Sequence, residues 1–386
     1  MKNILLVVDE RKMGGVSILL EDLINNMDLK DKAIDILVLH NNGDRLENIK
    51  DKVNLIYGTK YFDAIDIPLK EIIKSFNIGL FLKKLRLVFE MKTGLIEKRI
   101  IKERKKILSK KYDVEVAFKD GFTALFVGFG NCPKKIHWLH YDYKTQNANA
   151  KYDKLFKRVL PKFSKIIAVS KGVMDDFNNL YHLENKTKVI DNFIDTKKIK
   201  SMMKKKPSKK SNQELNLISV GRLHYQKGYD RLIEVFNKLN KDNLLNNVKL
   251  HIYGDGPEEE RLKKLITLYN LNDIIILEGR TNNPYEKIVN SDLFILSSVY
   301  EPFGLVIVEA MTLQVPVLAT ANSATSKLID NNKNGLIVDN SIEGLYEGLK
   351  RIILNKDLIN KWKESLKDYD YDDNNKRIIK EVLDIL

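Results

Sequence analysis

Cysteine is almost absent from this chain: 386 residues hold one, Cys132, together with eight prolines and two tryptophans. A lone thiol makes no internal disulfide and no cysteine-rich metal module, so a reducing compartment is expected, with the cytosol as default. Long apolar runs are missing too. The most apolar stretch, Leu293 to Met311, is interrupted by Glu301, Pro302 and Glu309, and no membrane-spanning helix is expected. The opening Met1-Lys-Asn-Ile-Leu-Leu-Val-Val-Asp9 is too short in apolar residues for a signal-peptide core and reads as a buried strand. Collagen-like, heptad and low-complexity patterns are absent as well. With 44% hydrophobic and 31% charged residues the chain is globular, and its length predicts two domains.

What is present is positive charge, unevenly placed. The formal net charge is +14. Residues 70–111 carry 14 Lys/Arg against four Asp/Glu, and residues 197–210 carry eight Lys and no acid, so the remainder is slightly acidic. In the first block apolar and basic residues alternate at helical spacing, as in Ile78-Gly-Leu-Phe-Leu-Lys-Lys-Leu-Arg-Leu-Val-Phe89. Two readings stand: a solvated helix face over a core, or a cationic amphipathic surface lying on anionic lipid. Nucleic acid is not expected, because neither a recognition helix nor an aromatic RNA-binding motif accompanies the charge.

Short β-branched runs alternate with amphipathic helical stretches. Ile4–Val8, Ile34–Leu39, Val114–Phe118, Lys135–His140 and Ile166–Val169 read as strands in the first half. Asn216–Val220, Lys249–Tyr253, Ile274–Glu278, Leu293–Ser297, Val315–Ala319 and Gly335–Val338 follow in the second, with helices such as Tyr229–Asn240 and Glu258–Tyr269 between them. That alternation predicts α/β architecture with two doubly wound parallel sheets. Ligands of such sheets sit beyond the carboxyl ends of the strands, so chemistry is sought in the loops that follow strands.

Two loops stand out. Gly221-Arg-Leu-His-Tyr-Gln-Lys-Gly228 follows a strand and precedes a helix, and its bracketing glycines permit a tight turn that aims Arg222 and Lys227 at one point. A guanidinium fork beside an ammonium suits a diphosphate, although charges at strand ends are often no more than solvated surface. Glu301-Pro-Phe-Gly-Leu-Val-Ile-Val-Glu309 follows another strand. Pro302 and Gly304 place a rigid turn and bare backbone where a helix begins, offering free N–H groups to an anion. Glu309 falls one turn inside that helix, above Leu305, and two carboxylates flanking such a turn look like hydroxyl binders. The plainer reading is a surface cap ahead of a buried helix.

On these residues the chain resembles the family 4 glycosyltransferases, retaining nucleotide-sugar enzymes of the GT-B fold. Glu301 to Glu309 is similar to the family's E-x7-E motif, and Gly221-Arg-Leu with Gln226-Lys227-Gly228 is similar to its diphosphate loop. Met13-Gly14-Gly15, Trp138-Leu-His140, Val169-Ser170, Val189-Ile-Asp-Asn192 and Tyr253-Gly-Asp-Gly-Pro257 occur in the family's order. The resemblance implies two Rossmann-like domains facing across a cleft: an acceptor domain at 1–192, a basic linker at 193–214, a nucleotide-sugar domain at 215–366, and a C-terminal helix at 367–386 crossing back to the N-terminal domain. It implies that Arg222 and Lys227 bind the donor diphosphate in place of a metal, that Glu309 holds ribose hydroxyls and Glu301 a sugar hydroxyl, and that the Phe303, Gly304 and Leu305 amides lie nearby. His140 would contact the donor sugar, Gly14 and Gly15 would let a helix approach the phosphates, Gly254 belongs to the donor loop set, and Arg280 lies where the base is expected. No cofactor or metal is implied. The expected partners are a nucleotide-sugar donor, UDP-linked by preference, and a glycan or lipid-linked acceptor of surface-polysaccharide assembly, with an anionic membrane face through residues 70–111 of a protein held at the inner side of the plasma membrane.

The chain departs from the family pattern in places. Gln314 occupies a usual glycine position in Ala310-Met-Thr-Leu-Gln314-Val-Pro316, Ser323, Ala324 and Lys327 replace the following Gly-Gly and Glu, and Phe193 stands where glycine often follows the asparagine. These changes put donor identity in question. His137 and His140 would point to opposite faces of a strand and cannot share a metal, and Asp368-Tyr-Asp370 reads as a helix cap ahead of Asn375–Ile385 rather than a metal motif. Other functions the motifs allow are a GT-B nucleotide-sugar epimerase, a sugar phosphorylase, or a basic lipid- or nucleic-acid-binding protein without turnover.

Overall fold

A computed structural model of the chain describes all residues except 10–14, 41–45, 66, 68, 142, 144–152 and 204–213. Its backbone contacts divide into two units, Met1–Phe193 with Arg377–Leu386, and Ile194–Lys376.

The first unit is built on a seven-stranded parallel sheet. Its strands are β1 (Lys2–Val8), β2 (Lys32–Val38), β3 (Asn54–Tyr57), β4 (Val114–Ala117), β5 (Lys134–Leu139), β6 (Lys165–Ala168) and β7 (Thr187–Val189), in the order β3-β2-β1-β4-β5-β6-β7. Ile4 to Val8 of β1 are all buried, as expected where crossover helices cover both faces of a sheet. The two strands that sequence pattern did not pick out, β3 and β7, are the edges. Both are short and half exposed, so neither needs a continuous apolar run.

The second unit holds a six-stranded parallel sheet: β8 (Leu215–Val220), β9 (Val248–Tyr253), β10 (Ile275–Gly279), β11 (Leu293–Leu296), β12 (Val317–Thr320) and β13 (Gly335–Val338), ordered β10-β9-β8-β11-β12-β13. Helix Tyr229–Lys241 lays Leu232, Ile233, Phe236 and Leu239 on it at helical spacing, over a core that includes Leu217, Leu250, Ile295 and Trp362. In each sheet the strand order reverses once, between β1 and β4 and between β8 and β11. Loops leaving neighbouring strands there turn to opposite faces and open a crevice, the usual ligand position of such sheets.

The units divide differently from the boundaries drawn on sequence. Within 193–214, Thr196–Met202 is a helix of the second unit: Asp195 accepts from the Lys198 amide at its start (2.9 Å), and Ile199 is buried. The last helix, Asp372–Ile385, changes unit part-way. Asn375 holds both the N–H and C=O of Ile194 (3.1 and 2.8 Å), whereas Arg377 donates to Asp191 (2.8 Å) and Lys188 pairs with Glu381 (2.8 Å). Ahead of that helix the Asp370 carboxylate accepts from the Asp372 amide (2.8 Å), a local turn that leads into the first helical residue rather than a cap on the second or third amide.

Not all of the 70–111 charge is at the surface. Arg104 is buried, donating from Nη2 to Glu115 (2.6 Å) and from Nη1 to the Phe126 carbonyl (2.9 Å). Removing one member leaves a buried uncompensated charge, so Arg104→Leu is expected to lose about 3–5 kcal/mol in urea unfolding, and Arg104→Leu/Glu115→Leu to recover most of it. A double variant no more stable than the single one would contradict this. Gln314, standing at a family glycine position, keeps a left-handed backbone (φ +59°) between helix Leu305–Thr312 and β12. That conformation is costly for a residue with a β-carbon, so Gln314→Gly should raise stability by about 1 kcal/mol, read as an increase in urea midpoint.

Candidate active site

The loop after β8 is held by backbone from the next strand's loop. The Gly221 amide donates to Tyr253 O (3.0 Å) and the Leu223 amide to Asp255 O (2.8 Å). A β-carbon on Gly254 would lie 1.9 Å from the Gly221 carbonyl oxygen, so glycine is required for the two loops to stack. Gly254 therefore backs the Arg222–Lys227 loop.

The loop after β11 closes the other side of the reversal point. Ser297 Oγ donates to Lys227 O (2.8 Å), the Val299 amide to Gln226 O (2.8 Å), and Gln226 Nε2 to Tyr300 O (3.3 Å). Gly228, at φ +63°, allows the approach, since a β-carbon there would meet Ser297 O at 2.3 Å. Arg231 braces the crossing, donating to Ser297 O (2.6 Å) and to Asn340 Oδ1 (2.9 Å), while Asn340 donates to Val299 O (2.8 Å).

Within this frame Lys227 Nζ donates to Glu301 Oε2 at 2.8 Å, and Ser298 Oγ donates to the same oxygen at 3.2 Å. Both charged side chains are largely buried. Burial works against the Lys227 charge, but the adjoining Glu301 carboxylate outweighs it, Glu309 adds to it, and the pKa lies above the ordinary lysine value. Lys227 is a fixed ammonium at neutral pH. Phe303 is buried, and Gly304, at φ +85°, caps helix Leu305–Thr312, whose Ile307 amide already donates to Gly304 O (2.9 Å), while the Leu305 and Val306 amides precede the intrahelical ladder. Glu309 is half-buried on that helix. Cation, carboxylates and helix N-terminus thus gather at one strand-order reversal, an arrangement able to hold an anionic group and order its hydroxyl-bearing neighbours.

Arg222 shares the Lys227 loop and is exposed. Arg280 is exposed after the edge strand β10, two strands from β8, so the fold does not bring it to the Lys227–Glu301 pair. In the first unit, Gly15 opens helix Gly15–Asn26 and is exposed, while Gly14 lies outside the described residues. His140 follows β5. Its amide donates to the buried Asp120 (2.7 Å), which also accepts from the Tyr143 hydroxyl. The ring stacks on Trp138 (6.5 Å, 12°), and the buried Nε2 has no hydrogen-bond partner among the described residues. Burial first, then the charges of Lys119 and His137, push the His140 pKa down to about 3. A neutral imidazole with an unused nitrogen can exchange a hydrogen bond with a hydroxyl but carries no charge. His137 is fully buried beside Phe163 with Nδ1 3.4 Å from Ala117 O and Nε2 3.8 Å from Asp120 Oδ1, a core position on the same carboxylate that holds the His140 amide.

Sequence reasoning missed Asp120, Ser297, Ser298, Arg231 and Asn340. Asp120 had a signal, since Lys119-Asp-Gly121 directly follows a strand beside the reversal point. Arg231 and Asn340 had none, because they meet across more than a hundred residues of chain.

Residues 201–369 match the model of the family described as glycosyl transferases group 1. The chain carries a group 1 glycosyltransferase domain. Among curated relatives, the N-acetylgalactosamine-N,N'-diacetylbacillosaminyl-diphospho-undecaprenol 4-alpha-N-acetylgalactosaminyltransferase of Campylobacter jejuni is 29% identical over 59% of this chain and 62% of its own. The poly(ribitol-phosphate) alpha-N-acetylglucosaminyltransferase of Staphylococcus aureus is 28% identical over 63% and 51%. The match thus spans somewhat over half the length of these relatives. Anabaena HepE, solved in complex with UDP and glucose, aligns over 100% of both chains with a TM-score of 0.72 at 19% identity, and the architecture is the GT-B fold. The glycosyltransferase domain contains both loops described above, and the family resemblance drawn from Glu301 to Glu309 stands.

The depressed His140 pKa has a consequence for stability. The unfolded chain takes up a proton near the ordinary histidine value of about 6.5, whereas folded His140 stays neutral down to about 3. Its contribution is therefore complete above about pH 6.5 and is lost on acidification toward pH 3. The urea midpoint should fall over that window more steeply in the wild type than in His140→Gln. Parallel slopes would show that His140 is not held neutral.

Proposed function

We propose that the protein is a retaining, metal-independent glycosyltransferase that moves a sugar from a nucleotide-diphosphate sugar to a glycan or lipid-linked acceptor in cell-surface polysaccharide assembly, on the cytoplasmic side. The observation that carries this reading is the Lys227 ammonium, kept charged by Glu301 (2.8 Å) on a glycine-bracketed loop at the β8/β11 reversal. When the bond from the sugar C1 to the β-phosphate oxygen breaks, negative charge grows on the departing nucleoside diphosphate. A fixed ammonium, the Arg222 guanidinium and the amides of Phe303, Gly304 and Leu305 stabilise that charge without reorganising, the role a metal plays elsewhere.

Glu309 orders the ribose hydroxyls, and Glu301 a sugar hydroxyl once donor phosphate takes over part of its hold on Lys227. The neutral His140 serves the donor sugar, and Arg280 the base. The acceptor oxygen bonds to C1 on the face the phosphate leaves, and its proton passes to the departing phosphate oxygen, so configuration is retained with no protein nucleophile. Preference for a UDP-sugar draws on the UDP complex of HepE. The acceptor class draws on the names of the Campylobacter and Staphylococcus relatives, whose acceptors are a diphospho-undecaprenol-linked glycan and poly(ribitol-phosphate).

A panel of UDP-, GDP- and other nucleotide sugars, scored by thermal shift and by slow hydrolysis with and without EDTA, tests the proposal. One UDP-sugar should raise the melting temperature, turnover should survive the chelator, and Lys227→Ala should cut kcat/KM by about 100- to 1,000-fold while weakening UDP binding. Undiminished UDP affinity in Lys227→Ala would falsify the diphosphate assignment. Loss of turnover on chelation would overturn metal independence.

A further inference from the structure

Helix Ile78–Thr93 is apolar on two opposite sides, and the described residues cover one of them. The inner side is anchored: Leu87 and Glu90 are buried, and Glu90 accepts from the Tyr61 hydroxyl (2.5 Å) and from Arg86 (2.8 Å). Lys83 and Lys84 also reach inward, to Asp63 (3.3 Å) and the Ala64 carbonyl (3.0 Å). The outer side shows Ile78, Leu82, Leu85 and Phe89 at 75%, 59%, 46% and 59% exposure. Their spacing of four, three and four residues places them within about 60° of one another along roughly 17 Å of helix. Phe76, 91% exposed with a left-handed backbone (φ +50°), projects just before the first turn.

An exposed ridge of this kind costs solubility unless something covers it. Lys74, Lys92, Lys98 and Lys102 are all exposed on this helix and its neighbours, within a segment of net charge +10. A second copy of the chain would bring the same positive charge against it. A convex single-helix ridge also fits a plane better than a groove. We propose that this ridge inserts into the headgroup–acyl boundary of an anionic phospholipid surface, with Phe76, Ile78, Leu82, Leu85 and Phe89 at the acyl level and the lysines among the phosphates. None of these residues belongs to the β8 or β11 loops, so the inference is independent of the catalytic reading.

The test uses the full chain with vesicles of phosphatidylcholine alone or with phosphatidylglycerol, in co-sedimentation and size-exclusion light scattering. Wild type should partition at least about ten-fold more strongly onto the anionic vesicles, and high salt should remove most of that preference. Leu82→Ser/Phe89→Ser should lose about ten-fold or more of the binding while keeping its circular dichroism and melting temperature, because both positions are exposed. Lys92→Gln/Lys98→Gln should lose the anionic preference alone. Absence of wild-type vesicle binding, or equal binding by the double serine variant, overturns the proposal. So does a wild-type dimer that Leu82→Ser/Phe89→Ser converts to monomer, which would assign the ridge to a second copy.

Discussion

A lysine ammonium placed in the crease of a parallel sheet has to be compensated, and the Lys227–Glu301 contact at 2.8 Å supplies that compensation. Lys227 comes from the loop after β8 and Glu301 from the loop after β11, 74 residues apart in sequence. Their pairing therefore depends on β8 and β11 being neighbours, which is the point where strand order reverses. Backbone and side-chain bonds from Ser297, Val299, Gln226 and Arg231 fix the two loops around the pair. The glycines at 228 and 254 let the main chains approach to distances that a side chain would forbid. A charge held this way does not need to reorganise when an anion arrives, which is the condition for stabilising charge as it develops.

The first unit handles its titratable group in the opposite manner. Where Lys227 lies half-buried against a carboxylate and keeps its charge, the half-buried His140 packs its ring beside Phe118 and Trp138 near a cation and loses it. Asp120 fixes the main chain of His140 and leaves the imidazole nitrogen unused. Lys227 is a permanent positive charge and His140 a neutral hydrogen-bonding group, each beyond the carboxyl end of a parallel strand in its own unit. The basic composition is not built from these two groups: the +14 is concentrated in residues 70–111 and 197–210 of the sequence, and one of its members, Arg104, is consumed in a buried pair with Glu115.

Much of the architecture was legible. Eleven strands were recognisable as β-branched runs, most clearly the fully buried ones such as β4 and β11, and the two that escaped, β3 and β7, are short, half-exposed edges of the first sheet. The loops carrying Arg222, Lys227, Glu301 and Glu309 were legible because glycine and proline between a strand and a helix mark a constrained backbone. Two of the departures from family pattern are accommodated locally. Gln314 adopts the left-handed conformation its glycine counterpart would favour, and beside Ser323 the Asn322 side chain accepts from the amides of Ala324 and Thr325 (3.0 and 3.1 Å), ordering the turn that a glycine pair would otherwise make.

The sequence by itself determined the α/β class, where most strands fall along the chain and which loops carry constrained charged residues, because burial period and backbone freedom are local properties written into neighbouring residues. Only the tertiary structure decided that Lys227 and Glu301 form a pair, that Arg231 and Asn340 brace them, that Arg280 stands two strands away, and that Asp120 sets the posture of His140. It also decided which side of helix Ile78–Thr93 is covered. Apolar residues at helical spacing look alike whether they face a core or solvent, and contacts between residues a hundred positions apart exist only after the sheet has brought their strands together.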